Sequence, residues 1–289
     1  MAKTVLGIIG GSGVYDIAMD QARWQSVETA WGMPSDELRM GEIEGLPIVF
    51  LPRHGRGHVY TPSSINYRAN IAALKQVGVT DLVSLSAVGS LKAELPPGLF
   101  VLPEQFIDRT HKRESSFFDT GCVAHVPFGS PVSPLLLEAA EQALKDEAIA
   151  TSKGGALVVM EGPQFSTQAE SELYKSWGAS LIGMTAMPEA KLAREAEICY
   201  CNVAMVTDFD AWHPHHDAVD VTQVVRTMTS NVLLAKKFVL RLAKNLDRNH
   251  QTCPIGSDRA LDGAIMTTLD KRDAALIAKL KTIAARVLR

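Results

Sequence analysis

The stretch "ICYCNVAMVTDFDAW", Ile198–Trp212, carries the reading of the fold. It opens as a predominantly apolar run, Ile198–Val206, which reads as a long buried strand. The run stops at two aspartates, Asp208 and Asp210, spaced i and i+2. His213, His215 and His216 follow within six residues of the second aspartate. Three uses are open for this cluster: a metal site, a catalytic acid with its helpers, or a polar loop with no special task.

Working outward, helical patterns flank the strand at Pro188–Glu197 and Val221–Leu246. Upstream, Val5–Ile9 reads as a strand running into the tight loop Gly10–Gly13, and Glu37–Ile43 with Pro47–Leu51 as a hairpin. Asn66–Val77 reads as a helix, and Asp81–Ala87 and Leu99–Leu102 as strands. Ser133–Glu147 reads as a helix, then Ala156–Met160 strand, Thr167–Trp177 helix and Ser180–Met184 strand. Strands alternating with helices predict an α/β chain with a largely parallel, helix-covered sheet and some antiparallel additions. Ligands of such sheets bind at the carboxyl ends of strands. The polar clusters Gly10–Gly13, Arg53–His58, Ser86–Ser90, Met184–Thr185 and Asp208–Asp210 all fall at such ends.

The 289 residues suit one large domain or two small ones, and the apolar share of 46% is ample for a core. A net charge of −3 with well-mixed signs argues against nucleic acid as the partner. The four cysteines show no zinc spacing, and Cys199 and Cys201 read as small core residues. The N-terminal run reads as a first strand and not a signal peptide, and no run approaches a membrane span, so a cytoplasmic protein is expected.

Each cluster has a plain alternative. Gly10–Gly13 lacks the third glycine of a dinucleotide fingerprint and the Lys-Ser/Thr of a P-loop, so an anion loop and an ordinary turn are equally good readings. Arg53, His54, Arg56 and His58 follow a strand closely, and arginine's planar fork matches phosphate, with His54 as a second donor. Phe165, in "MEGPQFSTQAES", could stack on a planar ring, or simply pack in the core. A metal reading of Asp208, Asp210, His213, His215 and His216 has no spaced ligand motif behind it. A heterocycle reading is better founded, since an apolar strand end raises a carboxyl pKa and a protonated acid can donate to a ring nitrogen.

The stretches "GIIGGSG", "RHGRGH", "NYRANIAALK", "SAVGSL", "EQFIDRT", "EGPQFSTQAES", "MTAMPEA" and "VTDFDAW" occur in this order. Together they resemble the trimeric purine nucleoside phosphorylase family over about residues 4–245. The resemblance implies a phosphorylase-type mixed, partly parallel β-sheet with a distorted barrel core, surrounded by helices. Residues 1–249 would form a single nucleoside phosphorylase domain. Residues 250–289 lie beyond the resemblance, and Leu276, Leu280, Ile283 and Val287 share one face of an amphipathic helix expected to pack on its own subunit.

The implied reaction is phosphorolysis of 5′-methylthioadenosine to adenine and 5-methylthioribose 1-phosphate, by a homotrimer with phosphate as co-substrate and no metal or organic cofactor. The resemblance puts phosphate among Ser12, Arg53, His54, Ser86, Ala87 and Thr185. It puts ribose against Met184, the purine against Phe165, N7 against Asp208 and the 6-amino group against Asp210. The methylthio group would meet Val221, Val224 and Val225, with His125 supplied by a neighbouring subunit and the loop histidines forming a lid. Enzymes of the family that act on 6-oxopurines carry asparagine where Asp208 stands, which favours an adenine nucleoside here. A 6-oxopurine phosphorylase, and a non-catalytic or metal-dependent hydrolytic nucleoside binder, are the competing readings.

Overall fold

The computed structural model describes residues 2–11, 13–213 and 221–288, with side chains from 225 onward in the last stretch. In chain order the strands are β1 (Leu6–Gly10), β2 (Asp20–Gln25), β3 (Leu38–Ile43), β4 (Leu46–Pro52), β5 (Asp81–Ser90), β6 (Phe100–Leu102), β7 (Gln105–Asp108), β8 (Thr151–Lys153), β9 (Ala156–Val159), β10 (Leu181–Gly183) and β11 (Cys199–Phe209). The helices are α1 (Tyr67–Gln76), α2 (Pro134–Asp146), α3 (Gln168–Ser176), α4 (Ala186–Glu195), α5 (Val221–Asn245) and α6 (Ala274–Ala284).

All strands join one mixed sheet that branches at β5. One branch runs β5-β10-β9-β7, and the other runs from β5 through β11 and β6 to β8. The branches meet again at a corner, because β6 leads directly into β7, and β8 into β9 through Gly154-Gly155. Both glycines have left-handed backbone, φ 102° and 84°, and a Cβ at Gly155 would stand 2.3 Å from Ser180 Oγ. The result is a distorted barrel, with β1, β4, β3 and β2 extending from β5 as an open flap. Pairing of β5 with β1 and β11 is parallel, and with β10 antiparallel.

Helices cover both faces because the strands are apolar on both. Ile71 and Leu74 of α1, Leu192 of α4 and Leu280 of α6 pack into one core. Leu136 and Leu137 of α2 join Phe238 and Leu242 of α5 in the other. The C-terminal helix packs on its own subunit through Leu280, Ile283 and Ala284. The tail is also pinned by His250 Nδ1 to Asp81 Oδ2 at 2.9 Å and by the Arg286 ion pair with Glu197. All four cysteines are buried free thiols.

Two strands run further than the sequence predicts. β5 continues through Val88-Gly89-Ser90, and β11 through Thr207–Phe209. These extensions pair with each other, Asp208 opposite Gly89 and Phe209 opposite Ser90, so a neighbouring strand overrides the local turn signal. The register shifts between Val206 and Asp208, a bulge at the position where the acids begin. β2, β7 and β8 were not expected; β2 is a mostly exposed edge without apolar alternation, and β7 and β8 are very short.

Candidate active site

β5 changes partner along one edge, and that change makes the cavity. Ser84 is the last residue in register with β1, and Gly89 the first with β10. Leu85–Val88 lie between, and these four with Gly89 line a cavity of about 260 Å³. This is a topological switch at the carboxyl ends of strands, where open α/β sheets place ligands.

Beneath the cavity is a closed polar network. Arg53 leaves the end of β4 and is 2% exposed. Its Nε donates to Glu189 Oε2 at 2.9 Å, Nη1 to the Leu85 carbonyl at 2.9 Å and Nη2 to Ser84 Oγ at 2.8 Å. Burial opposes its charge, but the Glu189 carboxylate more than offsets this and the pKa is raised. Tyr200 Oη donates to Glu189 Oε1 at 3.2 Å. Asn202 Nδ2 donates to Ser84 Oγ at 3.2 Å and Ser86 Oγ at 3.1 Å.

This geometry revises one expectation. The Arg53 fork is turned inward onto Glu189 and strand carbonyls, so it does not present a bidentate face to the cavity it lines. Its charge and its hold on Leu85 reach the site. His54 is revised similarly. Its Nδ1 lies 2.8 Å from the Tyr60 carbonyl, so that nitrogen carries the proton. Burial, then the Arg53 charge, lower the pKa to about 4. The ring is therefore neutral near pH 7, with Nε2 an acceptor and not the second donor expected. Arg56 is tied instead to Asp36 and Glu37 at the surface.

The acids behave differently. Burial raises the Asp208 pKa to about 6, with Thr207 opposing and the Asp210 charge adding to the rise. Thr207 Oγ1 donates to Asp208 Oδ2 at 2.7 Å. Asp210 is 4% exposed, and its pKa is raised chiefly by burial. Its Oδ2 is buried without a hydrogen-bond partner among the described residues. Such an atom is costly unless a ligand fills the need. Both acids line the cavity. A Cβ at Gly89 would stand 3.1 Å from Asp208 Oδ1, so glycine permits the close approach of the facing strand.

Ser86, Ala87, Met184, Thr185 and Phe165 line the same cavity as the acids, and Phe165 remains 48% exposed at it. The cavity thus brings together candidate residues from β4, β5, β10, β11 and the segment before α3. Val225 is 55% exposed and does not line it; further along α5, Met228, Asn231 and Val232 do. Met228 and Val232 continue the helical face of Val221, Val224 and Val225, so the helical period was the missed signal. His125 is exposed, its backbone N–H held by the Ala264 carbonyl at 2.9 Å, and it does not line this cavity. Ser12, His215, His216 and the side chains of Val221 and Val224 lie outside the described residues. His213 stacks on Phe209, with ring centroids 4.7 Å apart. Among the described residues, no group of three His, Cys, Asp or Glu side chains could hold a metal ion.

A cavity lined by two acids, with a buried arginine at its base, opens at the switch point of a branched α/β sheet, as in enzymes that bind small ligands there. The chain belongs to the phosphorylase superfamily, whose profile matches residues 5–244. It is 61% identical over 290 residues to the S-methyl-5′-thioadenosine phosphorylase of Bradyrhizobium diazoefficiens, covering 100% of both chains. The crystal structure of a methylthioadenosine phosphorylase from an Antarctic soil metagenomic library superposes with TM-score 0.91 at 40% identity, covering 98% of this chain and 99% of that one. Methylthioadenosine phosphorylase from Schistosoma mansoni in complex with adenine gives TM-score 0.85 at 33% identity, covering 91% and 99%.

Proposed function

We infer that the protein cleaves 5′-methylthioadenosine with phosphate, yielding adenine and 5-methylthioribose 1-phosphate, in purine and methionine salvage. A phosphate oxygen attacks C1′ as the C1′–N9 bond breaks, and the bonding pair leaves with the purine. Asp208 gives its proton to N7 and ends ionised. The Asp210 carboxyl accepts from the 6-amino group. Phosphate sits among Ser12, His54, Ser86, Ala87 and Thr185, with the Arg53 charge behind it. A phosphate P–OH can donate to His54 Nε2. Phe165 stacks on the base and Met184 packs against ribose. Positioning and electrostatics carry the rate, without a covalent enzyme intermediate, metal or organic cofactor.

The observation that carries this reading is the acid pair. Two carboxyls with raised pKa, one with an unpartnered buried oxygen, open onto the cavity that also holds Ser86 and Thr185. The assembly is a homotrimer in which His125 reaches a neighbour's 5′ side, a role suited to an exposed residue on a loop braced by the tail. Residues 1–249 form its single phosphorylase domain, with 250–289 as the extension. We place the reaction in the cytoplasm.

The test is product analysis with methylthioadenosine, with and without phosphate and with EDTA. The sugar 1-phosphate should form only with phosphate and irrespective of EDTA. Free methylthioribose formed without phosphate would make the protein a hydrolase. The apolar wall at the 5′ end should also favour methylthioadenosine over adenosine by about ten- to a few-hundredfold in kcat/KM.

A further inference from the structure

Arg113 belongs to none of the motifs singled out in the sequence, yet its side chain is 1% exposed and occupied on several sides. Its Nη1 donates to the carbonyls of Met184 and Met187, each at 2.6 Å, and to Tyr67 Oη at 3.2 Å. Its Nη2 donates to the Glu161 carbonyl at 2.6 Å and the Met160 carbonyl at 3.4 Å. The Glu161 carboxylate lies 3.6 Å from Nε and accepts from the His111 backbone N–H at 2.7 Å.

These carbonyls share one origin. β9 and β10 are parallel neighbours, with Val159 opposite Gly183 as the last pair. Met160–Glu161 and Met184–Met187 are the segments that continue past it. Carbonyls beyond a sheet's last rung need other donors. One planar guanidinium supplies them to both segments at once, which a lysine ammonium cannot do in the same geometry. The bridged segments carry Met160, Met184 and Thr185, all lining the cavity.

We propose that Arg113 is a positioning residue that ties the ends of β9 and β10 together and so sets the sugar and phosphate side of the active site. It does not line the cavity that holds the acid pair. It acts through the backbone of Met160 and Met184–Met187. The proposal deepens the functional reading above and rests on it for its kinetic consequence, while its structural consequence is independent.

The experiment compares wild type, Arg113→Lys and Arg113→Ala by steady-state kinetics and amide hydrogen exchange. A displacement near 1 Å at the reacting groups costs about 10²-fold. Arg113→Ala should lose about that in kcat/KM, with KM for phosphate raised, and added guanidinium should restore part of it. Arg113→Lys should fall between. Exchange should quicken at the amides of Glu161, Gly162 and Met184–Met187 in both variants, with the base-side dependence on pH unchanged. If Arg113→Ala does not fold, Arg113→Lys decides. Wild-type kinetics in either folded variant, or unchanged exchange at those amides, would overturn the proposal. A wild type inactive on methylthioadenosine would sink the functional reading alone, since the exchange result still stands or falls for Arg113.

Discussion

Two polar regions are buried along the same pair of strands, β5 and β11, and they are built in opposite ways. Near the strand middle, Arg53, Glu189, Ser84, Tyr200 and Asn202 donate to and accept from one another or from backbone. A few residues further on, Asp208 is half-buried and held by the Thr207 hydroxyl, while Asp210 is buried and one of its oxygens has no partner among the described residues. A closed network fixes geometry and holds the Arg53 charge. An open pair stores unmet demand and has raised pKa values. The first is a foundation and the second is a binding surface. Ser86 joins them, since Asn202 holds its hydroxyl at the floor of the cavity.

If the open pair does the chemistry, Asp208→Asn should give the largest effect. Loss of a positioned acid costs about 10²–10⁴-fold in kcat. Phosphate binding and thermal unfolding should change little, and an unchanged kcat would remove Asp208 from the mechanism. The closed network should respond in the other currency. Removing one partner of a buried ion pair costs about 3–5 kcal/mol, so Glu189→Gln and Arg53→Ala should unfold at clearly lower denaturant concentration. Arg53→Ala should also raise the KM for phosphate, because Leu85 loses its anchor and the site loses a positive charge. Wild-type stability in both variants would dissolve the distinction between the regions.

A pH profile sharpens the comparison further. Asp208 must be protonated to donate, and its raised pKa keeps it so below about 6. The proton is lost as pH rises through that value, so the wild-type advantage in kcat/KM over Asp208→Asn should shrink about tenfold per pH unit above it. Taking the ratio at equal phosphate cancels the ionisation of phosphate itself. A ratio independent of pH would mean that Asp208 does not act as an acid. The smallest effect is expected at Arg56, outside both regions. Its bonds to Asp36 and Glu37 are solvent-facing, and such pairs are worth about 0–1 kcal/mol. Arg56→Gln should leave stability and phosphate KM near wild type, and a large loss of phosphate affinity would return Arg56 to the anion site.

What was legible in the sequence follows the same division. The open region announces itself, because Asp208 and Asp210 interrupt an apolar strand and no lysine or arginine stands nearby in sequence to pair with them. The closed region is harder to see. Arg53 stands out as a cation after a strand, but its partner Glu189 is far along the chain, and only the fold turns the fork inward. Asn202 drew no notice within the apolar run, because its role depends on lying opposite Ser84 in register. Alternating strands and helices predicted the layered architecture. Branching at β5 was not legible, since exchange of β1 for β10 along one edge leaves no local pattern. Arg113 was hidden for a similar reason, since its partners are backbone carbonyls, which any sequence supplies.

The central claim is that Asp208 is held ready to donate a proton, and its titration tests this most directly. In protein labelled with 13C at the aspartate carboxyl carbons, the resonance missing from Asp208→Asn identifies Asp208. Its chemical shift should titrate with a midpoint near pH 6 in the free enzyme, moving upward in Thr207→Val, where the hydroxyl that favours the carboxylate is gone. A midpoint at or below the ordinary aspartate value of about 3.9 would contradict the account, because an acid already ionised throughout the working range has no proton to give to N7.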